Sequence, residues 1–411
     1  MITPLVSYTL RKHRLKKNMT IDEVSNIIGV DKTYLSKLEN NKLVPNERKL
    51  KQLYHLYGIK SYLLDYLDFN EKTVKFYLNK IYYIQIDEND ISNLNEMIFR
   101  HQFSIYLGHL ELIKWCYKSL NFLWDDEFLI QLKIFVNLLD LLSIEERTFF
   151  LLCLMFYYVR NKEFNKYNQC KKKLEKIENR KWLGLQYYIE LSYDYNTNNY
   201  GNMYHHINDA KKALTFDKNF KRFNVVLQYE GIFYNMIGDY KNEMKVYSEL
   251  EELYKEHNQL LNYGVTKQNI ASLLLIEKKY EEAIPYYLEG FKYNSLNGPC
   301  FELAWCYYNI GDLVSCKKAI KMGQTAKTQL TYYNDLFEWL LKMINNPYSK
   351  SCLNLLLKLE KQYYSNLNKE EKNFLMIAIA NNYVHLGEVE LASNYYKRLI
   401  KENVLTGIEM V

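Results

Sequence analysis

The first sixty residues carry an excess of positively charged side chains. They contain twelve Lys and Arg against five Asp and Glu, whereas the remaining residues contain 42 basic and 43 acidic side chains. Clustered Lys and Arg attract phosphates and other anionic groups. This pattern favours a polyanion-binding segment at the start of the chain, and the alternative is an ordinary solvated basic surface.

The sequence lacks the patterns of common catalytic and metal sites. It has no Gly-rich phosphate loop, no Cys and His at zinc spacing and no nucleophile elbow. The seven cysteines are scattered without a CxxC pair, so we expect buried thiols in a reducing cytoplasm. Acidic pairs such as Glu281 and Glu282 are expected on helix surfaces, paired with lysines. We therefore expect no enzyme, with no catalytic residue, no metal-binding residue and no cofactor.

The composition indicates that helices position these side chains. Only 14 Gly and 5 Pro occur in 411 residues, and β-architectures need both at their many turns. A chain of this length exceeds one typical domain. No apolar run approaches the roughly 18 residues of a membrane span, and no secretion leader is indicated. We predict an all-α cytoplasmic protein with two or more folded units.

A first helix signal lies within the basic segment. Thr20 has the chemistry of an N-cap, and Glu23 occupies the capping-box position three residues later. These two residues predict a helix over about 21–28. Gly29 then supplies a helix stop.

Two further helices are predicted after a tight turn. One opens at Val30, with Leu35 and Leu38 pointing inward, and the other follows an N-cap at Asn46 and ends at Gly58. The apolar stripe of the last helix consists of Leu50, Leu53, Leu56 and Tyr57.

Residues 5–66 resemble the Xre/Cro-type helix-turn-helix family. The matching positions are Thr20, Glu23, Gly29, Leu35, Ser36, Glu39, Asn40 and Pro45. In that family the second helix of the motif enters the major groove of a double-stranded DNA operator. The resemblance implies base-edge contacts for Lys32, Thr33 and Lys37, with Tyr34 and Ser36 nearby, and phosphate contacts for Asn40 and Lys42.

The same resemblance assigns Arg14 and Glu39 to a salt bridge between the first helix and the recognition helix. Ile21 departs from the pattern, because many relatives carry a phosphate-binding Gln at that position. The Thr20 hydroxyl and nearby backbone NH groups are expected to bind the phosphate instead.

From about residue 147 the chain repeats a unit of two helices joined by a short turn. The turns begin at Asn161, Asn198, Gly238, Glu277, Gly311, Asn346 and Gly387. The residues that follow them are spaced by 36, 40, 40, 33, 35 and 41 positions, close to the 34-residue period of tetratricopeptide repeats. We predict seven such repeats, and the turn at Asn198 and the unit around Trp339 fit least well.

Small residues recur at fixed places in these units, as they do in tetratricopeptide repeats. They are Gly231, Ala271, Ala304 and Ala380 on the first helices, and Ala283, Cys316 and Ala392 after the turns. Such repeats stack, and their first helices line a concave face that holds extended peptides. The resemblance places these residues on that face: Tyr188, Ser192, Asn196, Gln228, Asn235, Gln268, Ser272, Trp305, Tyr308, Asn309, Asn381 and His385, with Asn269 beside them.

Amides and aromatic rings dominate this predicted face. Asn and Gln offer both donors and acceptors to a peptide backbone, and aromatic rings can build pockets for peptide side chains. The alternative is that these amides are ordinary surface residues, because the whole chain is rich in Asn and Tyr.

The combination of both parts resembles the RRNPP family of peptide-responsive regulators. The organisation expected from it is a helix-turn-helix domain at 1–66, a helical connector at 67–91, divergent hairpins at 92–146 and a right-handed TPR-like solenoid at 147–411. The resemblance implies a cytoplasmic homodimer whose DNA binding responds to a short signalling peptide, in quorum sensing or phage communication. The connector is a candidate for pairing the heads of two protomers.

Two other classes of function stay open at this stage. One is a peptide-independent regulator whose repeats recruit a protein partner. The other is a scaffold or inhibitor with a vestigial DNA-binding head, for which salt-dependent DNA binding would be absent.

Overall fold

The structure is a computed structural model that describes residues 5–43, 46–59, 71–178, 181–197, 199–326, 331–367 and 369–408. These residues form 22 α-helices and no strand. The chain divides into two compact units, residues 1–226 and 227–411. Three predicted features lie partly outside the described residues. They are the helix-turn-helix motif at Pro45, the repeat turn at Asn198, and the end of the motif with the start of the connector at residues 60–70.

The first unit contains twelve complete helices in its described residues. They are α1 Val6–Lys16, α2 Ile21–Ile28, α3 Lys32–Glu39, α4 Glu47–Tyr57, α5 Glu71–Tyr82, α6 Glu88–Arg100, α7 Leu107–Leu120, α8 Asp126–Asn137, α9 Ile144–Arg160, α10 Phe164–Leu174, α11 Leu183–Thr197 and α12 Tyr200–Phe216. The unit boundary falls within α13, Phe220–Met236.

The described part of the second unit continues the helical pairs. Its helices after α13 are α14 Tyr240–Glu256, α15 Leu260–Ile276, α16 Tyr280–Phe291, α17 Asn297–Asn309, α18 Leu313–Thr325, α19 Tyr332–Asn345, α20 Lys350–Tyr363, α21 Lys369–His385 and α22 Val389–Ile408.

The capping signals of the N-terminal motif act as the sequence predicts. Thr20 and Glu23 form a reciprocal capping box at the start of α2, and Gly29 ends that helix in the left-handed conformation with φ 64°. Asn46 caps α4 through its side-chain oxygen, and Gly58 ends it with φ 71°. Each cap supplies partners for backbone groups that a helix end leaves unpaired.

A small apolar core holds α1 to α4 together. The inward orientation predicted for Leu35 and Leu38 is confirmed, because both are buried there with Leu53 and Tyr57. Leu50 and Leu56 of the predicted stripe pack against the same core. The core therefore fixes the orientation of α3 against its neighbours.

The N-terminal motif also packs on α7 and α8 of the same unit. Tyr8 and Lys12 of α1 both donate hydrogen bonds to the carboxylate of Glu111, which also accepts one from Gln131 at 3.1 Å. The Tyr8 ring stacks on Phe135 with ring centroids 4.9 Å apart. A buried polar network of this kind restricts the position of the motif on the helices behind it.

Helix α5, which follows the motif, is held at its carboxyl end by the residues around the start of α13. The Arg222 guanidinium donates to the carbonyls of Tyr82 at 2.6 Å and Ile81 at 3.1 Å, and Asn219 donates to Tyr82 at 2.9 Å. Lys221 donates to the carbonyl of Ile84. Cations at a helix carboxyl end are stabilised by the helix dipole, so this contact fixes α5 within the unit.

The repeat turns predicted from the sequence separate consecutive helices from α9 to α22. Several turns contain a residue with a left-handed backbone, including Lys162, Gly238, Lys278, Gly311 and Gly387. The predicted small residues lie where helices pack closely: Ala271, Ala283, Ala304, Cys316 and Ala380 are fully buried. A Cβ on Gly231 would lie 2.8 Å from the ring of Tyr247, so a larger residue would require that ring to move.

All seven cysteines are buried free thiols, as predicted. Within the described ranges, no helix combines the length and apolar character needed to cross a membrane.

Candidate functional site

Helix α3 presents polar side chains on one exposed face of the N-terminal motif. Lys32, Thr33 and Lys37 are exposed, and Lys42 is exposed in the turn that follows. In the part of the chain that the structure describes, Lys37 and Lys42 form no ion pair, and the Lys32 ammonium lies 3.9 Å from the exposed Asp22 carboxylate. Long, solvated cations on one helix face can reach phosphates and base edges.

Three other predicted contact residues are half-buried and have partners inside the motif. The Tyr34 hydroxyl accepts a hydrogen bond from the backbone NH of Asn46 at 3.0 Å. The Asn40 amide donates to the carbonyl of Ser36 at 2.8 Å and accepts from Arg11 at 3.4 Å. These contacts shape the ends of α3, so Tyr34 and Asn40 also position the exposed residues around them.

The salt bridge expected between α1 and α3 is confirmed. The Arg14 Nε donates to Glu39 Oε1 at 2.7 Å and its Nη2 donates to Oε2 at 2.9 Å, while Nη1 donates to the carbonyl of Met19. Both side chains are buried. The hydrogen bonds to Glu39 raise the pKa of Arg14, which keeps the pair charged.

The position at which many relatives carry Gln has a structural role here. Ile21 packs against the core of the motif. The neighbouring Thr20 is exposed, and its hydroxyl contacts the Glu23 carboxylate in the capping box. The capping hydrogen bonds from Thr20 lower the pKa of Glu23, which places a negative charge at the start of α2.

Two adjoining cavities in the second unit bring together six of the thirteen residues predicted on the concave face. The amide cavity, of about 400 Å³, is lined by Asn235, Gln268 and Asn269. The aromatic cavity, of about 520 Å³, is lined by residues that include Trp305 and Asn381. Both volumes are in the range of ligand pockets, and we call the two cavities together the ligand groove.

The ligand groove is built mainly by the first helices of successive pairs, as the repeat phasing predicts. Helices α13 and α15 contribute to the amide cavity, and α15, α17, α19 and α21 contribute to the aromatic cavity. Ser272, Ile276 and Glu302 line both cavities and form their common wall.

Gln268 is occupied by contacts within the chain. Its Nε2 donates to the carbonyl of Asn294 at 2.7 Å, and its Oε1 accepts from the Asn294 amide at 2.8 Å. Asn381 lines the aromatic cavity while its Oδ1 accepts a hydrogen bond from Tyr396 at 2.7 Å. Asn235 and Asn269 are half-buried in the lining of the amide cavity.

The other predicted peptide-contact residues lie outside these cavities. Tyr188 and Asn196 are on α11 of the first unit, where the Asn196 amide donates to the carbonyl of Ser192. Gln228 donates to the Tyr254 hydroxyl at 2.8 Å. Tyr308 and Asn309 are at the end of α17; the Tyr308 ring stacks on Trp305, and the Asn309 amide donates to the Trp305 carbonyl.

Two carboxylates line the aromatic cavity that the sequence prediction, dominated by amides, did not include. Glu302 accepts hydrogen bonds from Ser272 and from Tyr287, both at 2.7 Å. Glu371 accepts one from the Tyr333 hydroxyl at 3.0 Å. Burial raises the pKa of Tyr333, and the nearby charges of Glu302 and Glu371 raise it further. The charges of both carboxylates therefore act on one hydroxyl of the aromatic cavity.

Aromatic rings line the same cavity as these carboxylates. Trp305 stacks on Trp339 with centroids 5.7 Å apart, and Phe374 meets Trp305 edge-on at 5.5 Å. Phe301 meets Phe374 edge-on at 5.7 Å. Trp339 belongs to the repeat unit that fitted the pattern least well, and its large side chain fills the space between α17 and α21.

Comparison with known proteins identifies both parts of the architecture. Residues 8–65 match the family model described as a helix-turn-helix domain. No curated protein is similar enough in sequence to be matched to the chain. The apo form of the quorum sensor NprR from B. thuringiensis superposes with a TM-score of 0.66 at 15% identity, covering 80% of this chain and 97% of NprR. The chain has the NprR/Rap fold.

Two further structures support this conclusion. The apo form of RapI gives a TM-score of 0.60 at 15% identity, covering 80% of this chain and 97% of RapI. A Rap protein complexed with Competence and Sporulation Factor gives 0.57 at 14% identity, covering 82% of this chain and all of that one. The predicted fold class, a helix-turn-helix followed by a TPR-like α-solenoid, is confirmed. The predicted resemblance to peptide-responsive regulators is confirmed at the level of the fold.

Proposed function

We propose that the protein is a cytoplasmic transcription regulator that binds a DNA operator through α3 and responds to a short linear peptide in the ligand groove. The observation that carries the proposal is the joining of a helix-turn-helix domain to the NprR/Rap fold in one chain. We propose a regulator and not an enzyme.

The DNA-binding half rests on charge and on rigidity. The basic excess of the chain lies in the first sixty residues, and Lys32, Lys37 and Lys42 are exposed on or beside α3. The buried Arg14–Glu39 pair fixes α3 against α1, so these cations are presented by a rigid element. Rigid presentation reduces the entropy lost when a protein docks into the major groove.

The peptide-binding half rests on the ligand groove. Its amides at Asn235 and Asn269 can bind a peptide backbone, and its aromatic wall can bury apolar side chains. Solved structures of NprR and of a Rap protein with this fold contain the NprX peptide and Competence and Sporulation Factor, respectively. We extend peptide binding to this chain from that likeness.

Regulation requires that the peptide favours one arrangement of the protein over another. We propose a homodimer that holds two DNA-binding heads at a set spacing, which the peptide changes. The network around Glu111 and the contact of Arg222 with α5 connect the motif and the following helix to the rest of the first unit. A shift of the helices that contact the motif would therefore move the motif as a rigid body.

The decisive experiment measures binding of the purified protein to its own promoter region, with and without a synthetic peptide from the nearest small open reading frame. We expect salt-dependent DNA binding whose affinity changes with the peptide. DNA binding that is indifferent to every candidate peptide would favour the regulator that recruits a protein partner. If DNA binding that depends on salt is absent, the remaining alternative is a scaffold or inhibitor with a vestigial DNA-binding head.

Two variants separate the halves of the function. Lys37→Ala should weaken specific DNA binding by about 1–3 kcal/mol, because one base-edge contact is lost. Asn235→Ala should weaken the peptide response and leave DNA binding without peptide unchanged. The matched controls are Lys172→Ala on α10 and Asn202→Ala on α12, both exposed and outside the two sites. Equal losses in the controls would contradict both assignments.

A further inference from the structure

Helix α8 has two apolar faces, although only one of them packs inside the first unit. The inner face contains Phe128, Ile134 and Phe135, which are buried. The outer face contains Leu129 and Ile130, which are 38% and 53% exposed. A helix that is apolar on all sides is normally buried on all sides. The outer face of α8 therefore indicates a contact with another molecule.

The exposed apolar surface continues along the helix and into the turn before it. Val136 follows Leu129 by seven residues, which is two helical turns, so both side chains lie on the same side of α8. Phe122 and Leu123 are exposed in the preceding turn. Single apolar residues are common on protein surfaces, whereas a contiguous row of them marks an interaction site.

Two exposed charges complete this row, which we call the α8 stripe: Asp126, Leu129, Ile130, Lys133 and Val136. Asp126 and Lys133 are also seven residues apart, with the two apolar residues midway between them. Among the described residues, neither charge forms an ion pair. The stripe therefore ends in opposite charges on either side of an apolar centre.

This arrangement makes the α8 stripe complementary to a second copy of itself. If two α8 helices pair antiparallel, with a two-fold axis between Leu129 and Ile130, Asp126 of each copy lies opposite Lys133 of the partner subunit. The same register places Leu129 opposite Ile130 of the partner subunit. Charges beside an apolar seam set the orientation of paired helices. A parallel pair would instead place like charges opposite each other.

The inner face of the same helix holds the N-terminal motif. Gln131 donates to the Glu111 carboxylate, which also binds Tyr8 and Lys12 of α1, and Phe135 stacks on the Tyr8 ring. A pair formed through α8 would therefore place one motif on each side of a two-fold axis, attached to the helix that forms the contact. A DNA operator with two inverted half-sites has the same symmetry.

We propose that the α8 stripe is the surface through which two copies of this chain pair, with α8 antiparallel to α8 of the partner subunit. The inference rests on the proposed homodimer and names its interface. The occupant is a second copy because the two charges and the apolar centre match in one symmetric register. An anionic lipid surface is disfavoured, because α8 begins with the exposed carboxylates of Asp126 and Glu127.

The first test introduces one cysteine beside the expected two-fold axis of the full-length protein. Under mild oxidation, Ile130→Cys should form a disulfide between two copies, because the axis brings position 130 next to its symmetry mate. The seven natural cysteines are buried free thiols, so they should not compete. Val314→Cys, on an exposed part of α18, is the matched control and should not cross-link at a comparable rate. The product is measured on a non-reducing gel.

The second test measures the dissociation constant of the dimer by sedimentation equilibrium. Ile130→Glu should weaken the dimer at least about thirtyfold, because it places a charge at the centre of the apolar contact. Val314→Glu makes the same change at an exposed apolar residue outside the stripe and should have no effect.

A charge exchange tests the register itself. Lys133→Glu should weaken the dimer about tenfold, because two attractive pairs become repulsive. Adding Asp126→Lys to Lys133→Glu should restore the affinity, because opposite charges again face each other across the axis. Lys172→Glu, on an exposed part of α10, is the matched control and should leave the dimer unchanged.

The outcomes separate this interface from the homodimer on which it rests. An unmodified protein that stays monomeric at every concentration would overturn both. A dimer that survives Ile130→Glu and does not cross-link through Ile130→Cys would overturn the α8 interface alone, leaving a different protein as the occupant of the stripe. A combined charge exchange that is as impaired as Lys133→Glu would overturn the antiparallel register. The cysteine variant is a small change at an exposed position, so it decides the question even if a charged variant does not fold.

Discussion

The Arg14–Glu39 pair offers the sharpest test of how the DNA-binding motif is held together. Arg14 is 8% exposed and Glu39 is 3% exposed, so water cannot replace either partner. Two charge-assisted hydrogen bonds join them, at 2.7 and 2.9 Å. Each such bond contributes about 1.5–3 kcal/mol. Removal of one partner also leaves the other charge buried, and changes of this kind cost about 3–5 kcal/mol.

We therefore expect Arg14→Ala and Glu39→Ala each to lower the free energy of opening of the motif by about 3–5 kcal/mol. The double variant should cost much less than the sum of the two, because no buried charge is left without its partner. Replacement by the apolar pair Arg14→Met and Glu39→Leu should restore much of the stability. A domain has only about 5–15 kcal/mol of stability, so either single variant removes a large share of it and should also weaken specific DNA binding.

The assay is hydrogen–deuterium exchange of the full-length protein, read on peptides from α1 to α3. This readout reports local opening, whereas global melting would mix the motif with the rest of the chain. The reasoning is refuted if each single variant costs less than about 1 kcal/mol, the value of an exposed pair. It is also refuted if the double variant costs the sum of the singles.

Two further predictions concern packing and pH. Gly290→Ala should destabilise the protein by about 1–3 kcal/mol in urea unfolding, because the added Cβ would lie 2.7 Å from the carbonyl oxygen of Gly264. The control is Gly201→Ala, which has open space around it and should be neutral or slightly stabilising. A larger loss of stability in Gly201→Ala than in Gly290→Ala would contradict the close contact at Gly290. Burial lowers the pKa of His206, but its hydrogen bond with Asp194 and the negative charges of Asp194 and Glu190 together outweigh this effect, so the pKa is raised. A raised pKa stabilises the fold at low pH, and that stability is lost as the pH rises through the folded-state pKa. His206→Gln should therefore cost more stability at about pH 5.5 than at about pH 9, and an equal cost at both would refute the assignment.

The elements of the N-terminal motif could be predicted because their signals are local. Thr20, Gly29, Asn46 and Gly58 determine helix ends through their own side chains or their own backbone freedom, and each acts as expected. The small residues of the repeat units were also predictable. Two helices that stack closely need a small residue at each point of close contact. Ala271 illustrates this requirement, since it is fully buried where α15 packs.

The composition of the ligand groove could not be predicted in the same way. Repeat phasing identifies which helix faces line a groove, but the residues that meet across it depend on how far each helix pair is rotated against the next. Unequal repeat lengths of 33 to 41 residues make that rotation different at each step. Gln268 is an example: the phasing places it on the groove, where its amide is engaged by Asn294 of the following turn.

The two carboxylates show why an acidic residue is harder to assign than an amide. In the sequence, Glu302 and Glu371 look like any of the 48 acidic residues, most of which belong on solvated helix surfaces. Their position becomes informative only when the helices from α15 to α21 are assembled, because the hydroxyls that hold them lie on α15, α16 and α19. A solvated carboxylate needs no such partners, whereas one that faces an aromatic wall must be stabilised before a ligand arrives. The hydroxyls of Ser272, Tyr287 and Tyr333 supply that stabilisation within the protein itself.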